Sequence, residues 1–289
     1  MPWLLNNTCL LTTPFVLVVM LHMYLMDEYI VANIMVMPHA PIVLINRSAA
    51  LPERICVLVP VTSRGNENWR QMEDSPLHGA LLSSLTGTCE PGRFLYSIYI
   101  GYDTGDAFYD NQTTLQSIRQ WTARHLPFAL LILKPFANPL QKPVPVMNFL
   151  SRAAYNDSCD FMYQVKDTTE CLTPWTSAFV GALRTMSPPL RGVVGPSFPY
   201  GNMAIITHDF VHRSHLDIFP THYPPELTDW WADDWITAVY GARNTYKLAN
   251  VVVTRRLMSG MRHTINWNAA AQLRALIAQG RALVNASGW

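Results

Sequence analysis

Short apolar, β-rich runs alternate with helical-looking segments from residue 54 onward, and this alternation constrains the fold more than any other feature of the chain. The segments between the runs are roughly ten to fifteen residues long, and several carry apolar residues at helical spacing. Strands separated by such helices predict βαβ units and a mostly parallel sheet, that is, an α/β fold. The strand-like runs are RICVLVPV (54–61), FLYSIYIGYD (94–103), FALLILKPF (128–136), CDFMYQV (159–165) and RGVVGP (191–196).

The length and charge of the chain limit the classes of function that it can have. Its 289 residues suit one large domain or two small ones, and 49% of them are hydrophobic, which is enough for a sizeable core. The net charge is only +1, which gives no basis for nucleic-acid binding, so no nucleic-acid partner is expected. We predict one folded domain over residues 52–289, preceded by an apolar anchor and stem over residues 1–51.

The N-terminal part contains an uncharged run of 17 residues, Leu10 to Met26, which is at the lower limit for a membrane span. A single-pass membrane anchor is the first interpretation, with a cleaved signal or a misassigned start as alternatives. The charged fraction of 14% is low, and several Asn-x-Ser/Thr triplets suit a glycoprotein in a lumenal compartment. These features predict a Golgi or ER membrane protein with a lumenal domain. The triplets begin at Asn6, Asn46, Asn111, Asn156 and Asn285.

The five cysteines are too few for a disulfide-rich scaffold and lack the spacing of a zinc site. Cys159 and Cys171 flank the segment CDFMYQVKDTTEC. They could form a disulfide in an oxidising compartment, or both could be buried free thiols.

In open parallel sheets, ligands bind beyond the carboxyl ends of the strands. The polar residues that follow the first, second and fourth runs are therefore the informative ones: residues 60–65, 103–106 and 166–170. Carboxylates at strand ends can bind a divalent cation, which in turn binds a diphosphate. The chain has neither a Gly-x-Gly-x-x-Gly fingerprint nor a P-loop, so those two nucleotide-binding classes are not supported.

The segment ELTDWWADDWITAVYG (226–241) places acids among tryptophans. Thr228 is a candidate N-cap of a helix, with Asp229 in its first turn. A partly desolvated carboxylate such as Asp234 has a raised proton affinity, which suits a general base, and aromatic faces can stack on a sugar.

A histidine-rich segment, HDFVHRSH (208–215), supports a different function. On a helix, His208, His212 and His215 would share one face and could bind a metal ion. This alternative is a metal-dependent hydrolase, although no Glu stands at the position that the His-Glu-x-x-His motif requires.

In this order, the motifs resemble those of GT-A fold glycosyltransferases, closest in style to inverting, family-two-like enzymes. The resemblance implies that ICVLVPVTSRGNE and YSIYIGYDTGD bind the donor nucleotide, and that FMYQVKDTTE stands in place of the metal-binding Asp-x-Asp motif. The implied donor-binding residues are Pro60, Thr62, Arg64, Asp103, Asp106, Lys166 and Asp167.

The later motifs of the family also have counterparts in this chain. ADDW implies that Asp234 is the catalytic base, with Asp233 beside it, and GMRHTI implies that His263 completes a metal site with Asp167. The loop RGVVGPSFPYGN and the tryptophans imply the acceptor side, with Gly201, Asn202, Trp230, Trp231 and Trp235.

The resemblance implies a hexosyltransferase-type enzyme that uses a nucleotide-sugar donor, a glycan, protein or lipid acceptor, and Mn²⁺ or Mg²⁺ as cofactor. One departure is Lys166-Asp167-Thr168, where the family has two acids. Lys166 could place a positive charge beside the diphosphate, because Lys and Arg are common partners of phosphates. The same departure could instead mark weakened metal binding, or a sugar-binding relative with weakened catalysis.

Overall fold

Eight strands form one mixed sheet in the computed structural model, which describes residues 52–199, 201–256 and 262–288. The order across the sheet is β3-β2-β1-β4-β7-β6-β8-β5. The strands are β1 Arg54–Val61, β2 Leu95–Asp103, β3 Ala129–Phe136, β4 Phe161–Gln164, β5 Thr169–Cys171, β6 Val193–Ser197, β7 Phe210–His212 and β8 Thr245–Arg255.

The first four strands form one parallel part of the sheet, and β6 pairs in parallel with β8. β1 pairs in parallel with β2 on one side and with β4 on the other, and β2 pairs in parallel with β3. β7 is antiparallel to β4 and β6, and β5 is antiparallel to β8. Because β1, β2 and β4 run in the same direction, the residues that follow them lie at one edge of the sheet.

Helices cover both faces of the sheet, and a separate apolar cluster fills each side. This double cover explains why β1 reads as a continuous apolar run and not as an alternating one. The α-helices are α1 Ser83–Thr88, α2 Gln112–His125, α3 Pro143–Asn156, α4 Thr176–Arg184, α5 His215–Ile218, α6 Ala232–Val239 and α7 Ala270–Ala286.

Local sequence signals explain where two of these helices begin. The side chain of Asn111 accepts a hydrogen bond from the Thr113 N–H at the start of α2. Pro143 occupies the first turn of α3, where its missing N–H has no helical partner to lose. The predicted α/β fold and its five strand-like runs are confirmed.

Two predicted helices differ from the structure. HDFVHRSH is not a helix, because Phe210 and Val211 are fully buried in β7, which pairs with β4. The helix predicted to begin at Thr228 begins instead at Ala232, after Trp231, whose φ of 75° is left-handed. Asp229 therefore lies before α6 and not in its first turn.

The disulfide also differs from the suggested pairing. Cys159 bonds to Cys56 and so joins the start of β4 to β1, while Cys171 is a buried free thiol. The parallel pairing of β1 with β4 brings the two bonded cysteines together, a contact that spans 103 residues of chain.

The predicted Golgi or ER membrane location is wrong. No helix within residues 52–199, 201–256 and 262–288 combines the length and apolar character that a bilayer crossing needs. The apolar run from Leu10 to Met26, and with it the predicted anchor, lies outside the described residues. The domain boundary at residue 52 stays a prediction.

Candidate active site

The loop after β1 and the turn after β2 form the first part of the site. Gly105, with φ of 83°, takes the left-handed conformation of the turn that returns Asp106 toward β1. Asp106 accepts hydrogen bonds from the hydroxyl of Thr62 at 3.0 Å and from the backbone N–H and hydroxyl of Ser63, both at 2.7 Å. Burial raises the pKa of Asp106, but hydrogen bonds from Tyr109 and Ser63 outweigh it, so the carboxylate stays ionised.

Arg64 and Asp103 form an ion pair in the same part of the site. A guanidinium nitrogen of Arg64 lies 2.5 Å from a carboxylate oxygen of Asp103, and the other oxygen accepts from the Asn138 side chain at 2.8 Å. Burial raises the pKa of Asp103, against the effects of Asn138 and Arg64. Pro60 lies within β1, opposite Gly101. Thr62, Arg64, Asp103 and Asp106, all predicted donor-binding residues, therefore lie in one cluster.

Asp167, at the end of β4, has a partner that the sequence did not reveal. Arg262 donates from Nη1 to both carboxylate oxygens of Asp167, each at 2.8 Å, and only 3% of the Asp167 side chain is exposed. Burial raises the pKa of Asp167, and the ion pair with Arg262 opposes that rise. The guanidinium also lies 5.8 Å from the ring centroid of Trp69, within range of a cation–π contact.

Lys166 connects the end of β4 to the start of α6. Its ammonium group lies 3.7 Å from a carboxylate oxygen of Asp233, and 28% of the Asp233 side chain is exposed. Burial raises the pKa of Asp233 to about 6, Lys166 opposes this, and Asp209 and Asp234 add to it. The neighbouring Asp234 also has a pKa raised by burial, but no cation of the described chain lies within ion-pair distance of it. Of the two acids, Asp233 is thus the one that pairs with Lys166.

The segment 262–267 lies across this part of the site. Lys142 forms an ion pair of 2.5 Å with the buried Asp229 and donates to the carbonyl of Thr264. The backbone N–H of Asn266 donates to the same Asp229 carboxylate at 3.1 Å. Asp229 is therefore a structural anchor for this segment.

The predicted metal ligands fit a divalent cation poorly. Both oxygens of Asp167 already bond Arg262, and burial lowers the pKa of His263, with the cations Lys142, Lys166 and Arg64 as further causes of the same sign. Within the described ranges, no group of three or more His, Cys, Asp or Glu side chains could hold a metal ion. The Mn²⁺ or Mg²⁺ cofactor stays a prediction.

Three tryptophans pack together beside the start of α6. The ring centroids of Trp230 and Trp267 are 5.5 Å apart, and each lies 6.3 Å from that of Trp231. Trp230 is 49% exposed and Trp267 is 62% exposed, so this tryptophan cluster presents aromatic surface to solvent. Trp267 was not predicted as a site residue, because it lies far from Trp230 in the sequence and the C-terminal segment was predicted only as a terminal helix.

Trp235 does not belong to the acceptor side, which corrects the prediction. It is 2% exposed, and its indole N–H donates to the carbonyl of Leu276 in α7. The reason is the helical spacing: Trp235 and Val239 share the face of α6 that packs against α7.

The predicted acceptor loop lies between β6 and β7. Lys247 holds it by donating to the carbonyls of Asn202, Met203 and Ile205. A side chain at Gly201 would meet the Phe198 ring at 2.1 Å, so glycine is required there by close packing. The assignment of Gly201 and Asn202 to acceptor binding stays a prediction.

The three histidines of the hydrolase alternative do not converge. His208 bonds the Thr169 hydroxyl, His212 bonds Ser214, and His215 bonds the Tyr240 hydroxyl. Burial lowers the pKa of His208 and of His215 to about 3, which keeps both neutral within the core. A metal site built on these residues is therefore wrong.

The mixed, mostly parallel sheet flanked by helices is that of the GT-A fold of glycosyltransferases, as predicted. Two solved structures from S. aureus share it. A fragment of TarS, residues 1–349 in complex with UDP, matches with a TM-score of 0.52 and 15% sequence identity over 78% of this chain and 65% of that chain. TarS itself matches with a TM-score of 0.51 and 14% identity over 78% and 39% of the two chains.

These likenesses establish the fold alone, because the identities are low. This chain spans less than two thirds of the length of either TarS structure. No protein-family model and no curated protein matches the sequence.

Proposed function

We propose that the protein is an inverting glycosyltransferase of the hexosyltransferase type, which moves a sugar from a nucleoside-diphosphate donor to an acceptor hydroxyl. One observation carries the proposal. The acidic cluster around Asp103 and Asp106, the cations Lys166 and Arg262, and the carboxylate Asp233 meet at the carboxyl edge of β1, β2 and β4. A nucleotide-sugar donor needs three features in this order: polar groups for its nucleoside, cations for its diphosphate, and a general base near its sugar.

The nucleoside would bind in the loop formed by Thr62, Ser63 and Arg64, against Asp103 and Asp106. The Asp103 carboxylate can accept from a ribose hydroxyl or from an N–H of the base. Asp106 already accepts five hydrogen bonds within the protein and would hold the loop in shape. TarS was crystallised with UDP, which makes UDP-sugars the first donors to test here.

Asp233 is the base that the contacts favour, although the sequence motif favours Asp234. A carboxylate with a pKa of about 6 is largely ionised at neutral pH and still has appreciable proton affinity, as general-base catalysis requires. It would take the proton of the acceptor hydroxyl as that oxygen attacks the anomeric carbon from the face opposite the diphosphate. The bond to the diphosphate oxygen breaks with its electron pair, and the nearby cations stabilise the leaving group.

The tryptophan cluster of Trp230, Trp231 and Trp267 would form the acceptor side. Trp230 and Trp231 directly precede α6, whose first turn carries Asp233, and Trp267 packs against both of them. An aromatic surface next to the base suits a sugar acceptor, which can stack its apolar ring face on an indole.

A donor screen tests this proposal. Nucleoside-diphosphate release is measured for a panel of UDP-, GDP- and ADP-sugars with simple sugar acceptors, in EDTA and in MnCl₂. The variants are Asp233→Asn and Asp234→Asn. We expect Asp233→Asn to lower kcat by about 100- to 10,000-fold, the range of general-base catalysis, with a smaller effect of Asp234→Asn.

A larger loss of kcat in Asp234→Asn than in Asp233→Asn would identify Asp234 as the general base. Tight binding of a nucleotide sugar without turnover for any acceptor would identify a sugar-binding relative with weakened catalysis. Binding of no nucleoside diphosphate at all would end the proposal.

A further inference from the structure

We infer that the guanidinium of Arg262 takes the position and role of the divalent cation in this site, so that a nucleoside diphosphate binds without metal. The inference rests on the proposed function and specifies how the site would recognise the diphosphate. Its first support is the geometry of Asp167. Arg262 Nη1 lies 2.8 Å from each of its carboxylate oxygens, so the sole acid of the Lys166-Asp167-Thr168 motif is already engaged by a cation.

The ligand set is the second support. Mg²⁺ and Mn²⁺ prefer several oxygen ligands, commonly with one or two carboxylates. Thr168 stands where a second acid would be needed. The charged neighbours of His263 are Asp229, which already bonds Lys142, and the cations Lys142, Lys166 and Arg64. A divalent cation at Asp167 would have to displace Arg262 and then sit among these positive charges.

The charge of the motif is the third support. Two carboxylates with a divalent cation have a formal charge of 0, from −2 and +2. Lys166 and Arg262 balance Asp167 and the ionised Asp233 beside Lys166, so this group also sums to 0, from +2 and −2. It is thus as favourable to a diphosphate as the metal arrangement, and 47% of the Lys166 side chain is exposed, so its ammonium group can reach a ligand.

Arg262 also has hydrogen-bonding capacity left. Its Nη2 is buried and has no acceptor within the described part of the protein. A guanidinium can donate from two nitrogens at once, and phosphate oxygens match that arrangement. Asp167 would then hold Arg262 in place through Nη1 while Nη2 bonds a phosphate oxygen.

The test is UDP binding by isothermal titration calorimetry with the full chain. The variants are Arg262→Gln, Arg262→Lys and, to avoid an unpaired buried carboxylate, the double change Asp167→Asn with Arg262→Gln. The matched control is Arg184→Gln, because Arg184 also pairs with an acid, Glu53, at 2.7 Å, but at the amino end of β1. Circular dichroism confirms that each variant is folded.

We expect wild-type protein to bind UDP equally well in EDTA and in MnCl₂. Loss of the guanidinium should weaken binding in EDTA by about 10- to 100-fold in both the single Gln variant and the double variant, the range of a charged hydrogen bond. Arg262→Lys should retain part of the affinity, and Arg184→Gln should match wild type.

The outcomes separate the inference from the proposed function. UDP binding that requires Mn²⁺ would overturn the role of Arg262 and leave a glycosyltransferase intact. So would unchanged affinity in the double variant. If UDP, GDP and ADP all fail to bind in either buffer, the proposed function itself fails. Paramagnetic resonance of Mn²⁺ adds a readout without nucleotide: stoichiometric Mn²⁺ binding that Asp167→Asn abolishes would also overturn the inference.

Discussion

Replacing Lys166 with Met should raise the pKa of Asp233 from about 6 to about 7. The ammonium group of Lys166 lies 3.7 Å from the Asp233 carboxylate and stabilises its charged form. Because Lys166 is half-exposed, the dielectric constant of water is the appropriate choice, and Coulomb's law then gives about 1.1 kcal/mol at this distance. That energy corresponds to a rise in pKa of about 0.8.

The measurement is a ¹³C NMR titration of side-chain carboxyl groups, which needs no knowledge of the substrate. The resonance of Asp233 is assigned by its loss in Asp233→Asn. Lys166→Arg is the matched control, because it keeps the positive charge and should leave the pKa near that of wild type. Asp234→Asn should lower the pKa of Asp233 slightly, since the charge of Asp234 contributes to raising it.

Two results would refute the reasoning. An ordinary pKa for Asp233, near 4, would show that burial does not raise it and would remove the reason to prefer it as base. A titration unchanged by Lys166→Met would show that the pair does not exist in solution. If Asp233 is the base, kcat/KM should fall as pH decreases through about 6, and this limb should move with the NMR value.

Three further predictions concern stability and the acceptor side. The double change of Cys56 and Cys159 to Ala should lower the free energy of unfolding by about 2–4 kcal/mol in urea titrations, and peptide mapping without reductant should recover the pair as one linked fragment. Trp235→Ala should cost about 3–5 kcal/mol by the same titrations, whereas Trp267→Ala should change stability by less than about 0.5 kcal/mol and raise the KM for the acceptor. The folded-state pKa of His215 is depressed to about 3, so the unfolded chain takes up a proton first as pH falls below about 6.5; this group alone should cost about 2 kcal/mol of stability between pH 7 and pH 5, and His215→Gln should flatten that dependence.

The parallel core of the fold could be predicted from sequence because its signals are local. β1 and β2 are continuous apolar runs, and α2 and α3 begin at an asparagine cap and a proline. Because parallel strands end at the same edge of a sheet, the clustering of Asp103 and Asp106 with the loop after β1 could also be predicted from the sequence. β7 was not predicted, because three residues among histidines carry too short a pattern to distinguish a strand from a helix.

The partners of the site residues could not be predicted, because they are distant in the chain. Arg262 pairs with Asp167 across 95 residues, and Lys142 reaches Thr264 across 122. No spacing rule relates such positions. The choice between Asp233 and Asp234 had the same difficulty: the two are adjacent in sequence, and only the position of Lys166 separates them.

The short segment 262–267 accounts for much of what distinguishes this site. Arg262 supplies a cation at the end of β4, the carbonyl of Thr264 bonds Lys142, and Trp267 completes the tryptophan cluster. Because Lys142 is also bonded to Asp229, directly before Trp230, one buried ion pair holds both the segment that carries Arg262 and the start of the tryptophan cluster. Under the proposed function, donor and acceptor recognition would depend on the same six residues. A change that frees this segment, such as Asp229→Asn, should weaken UDP binding and acceptor binding together, whereas changes at Arg262 and Trp267 should separate them.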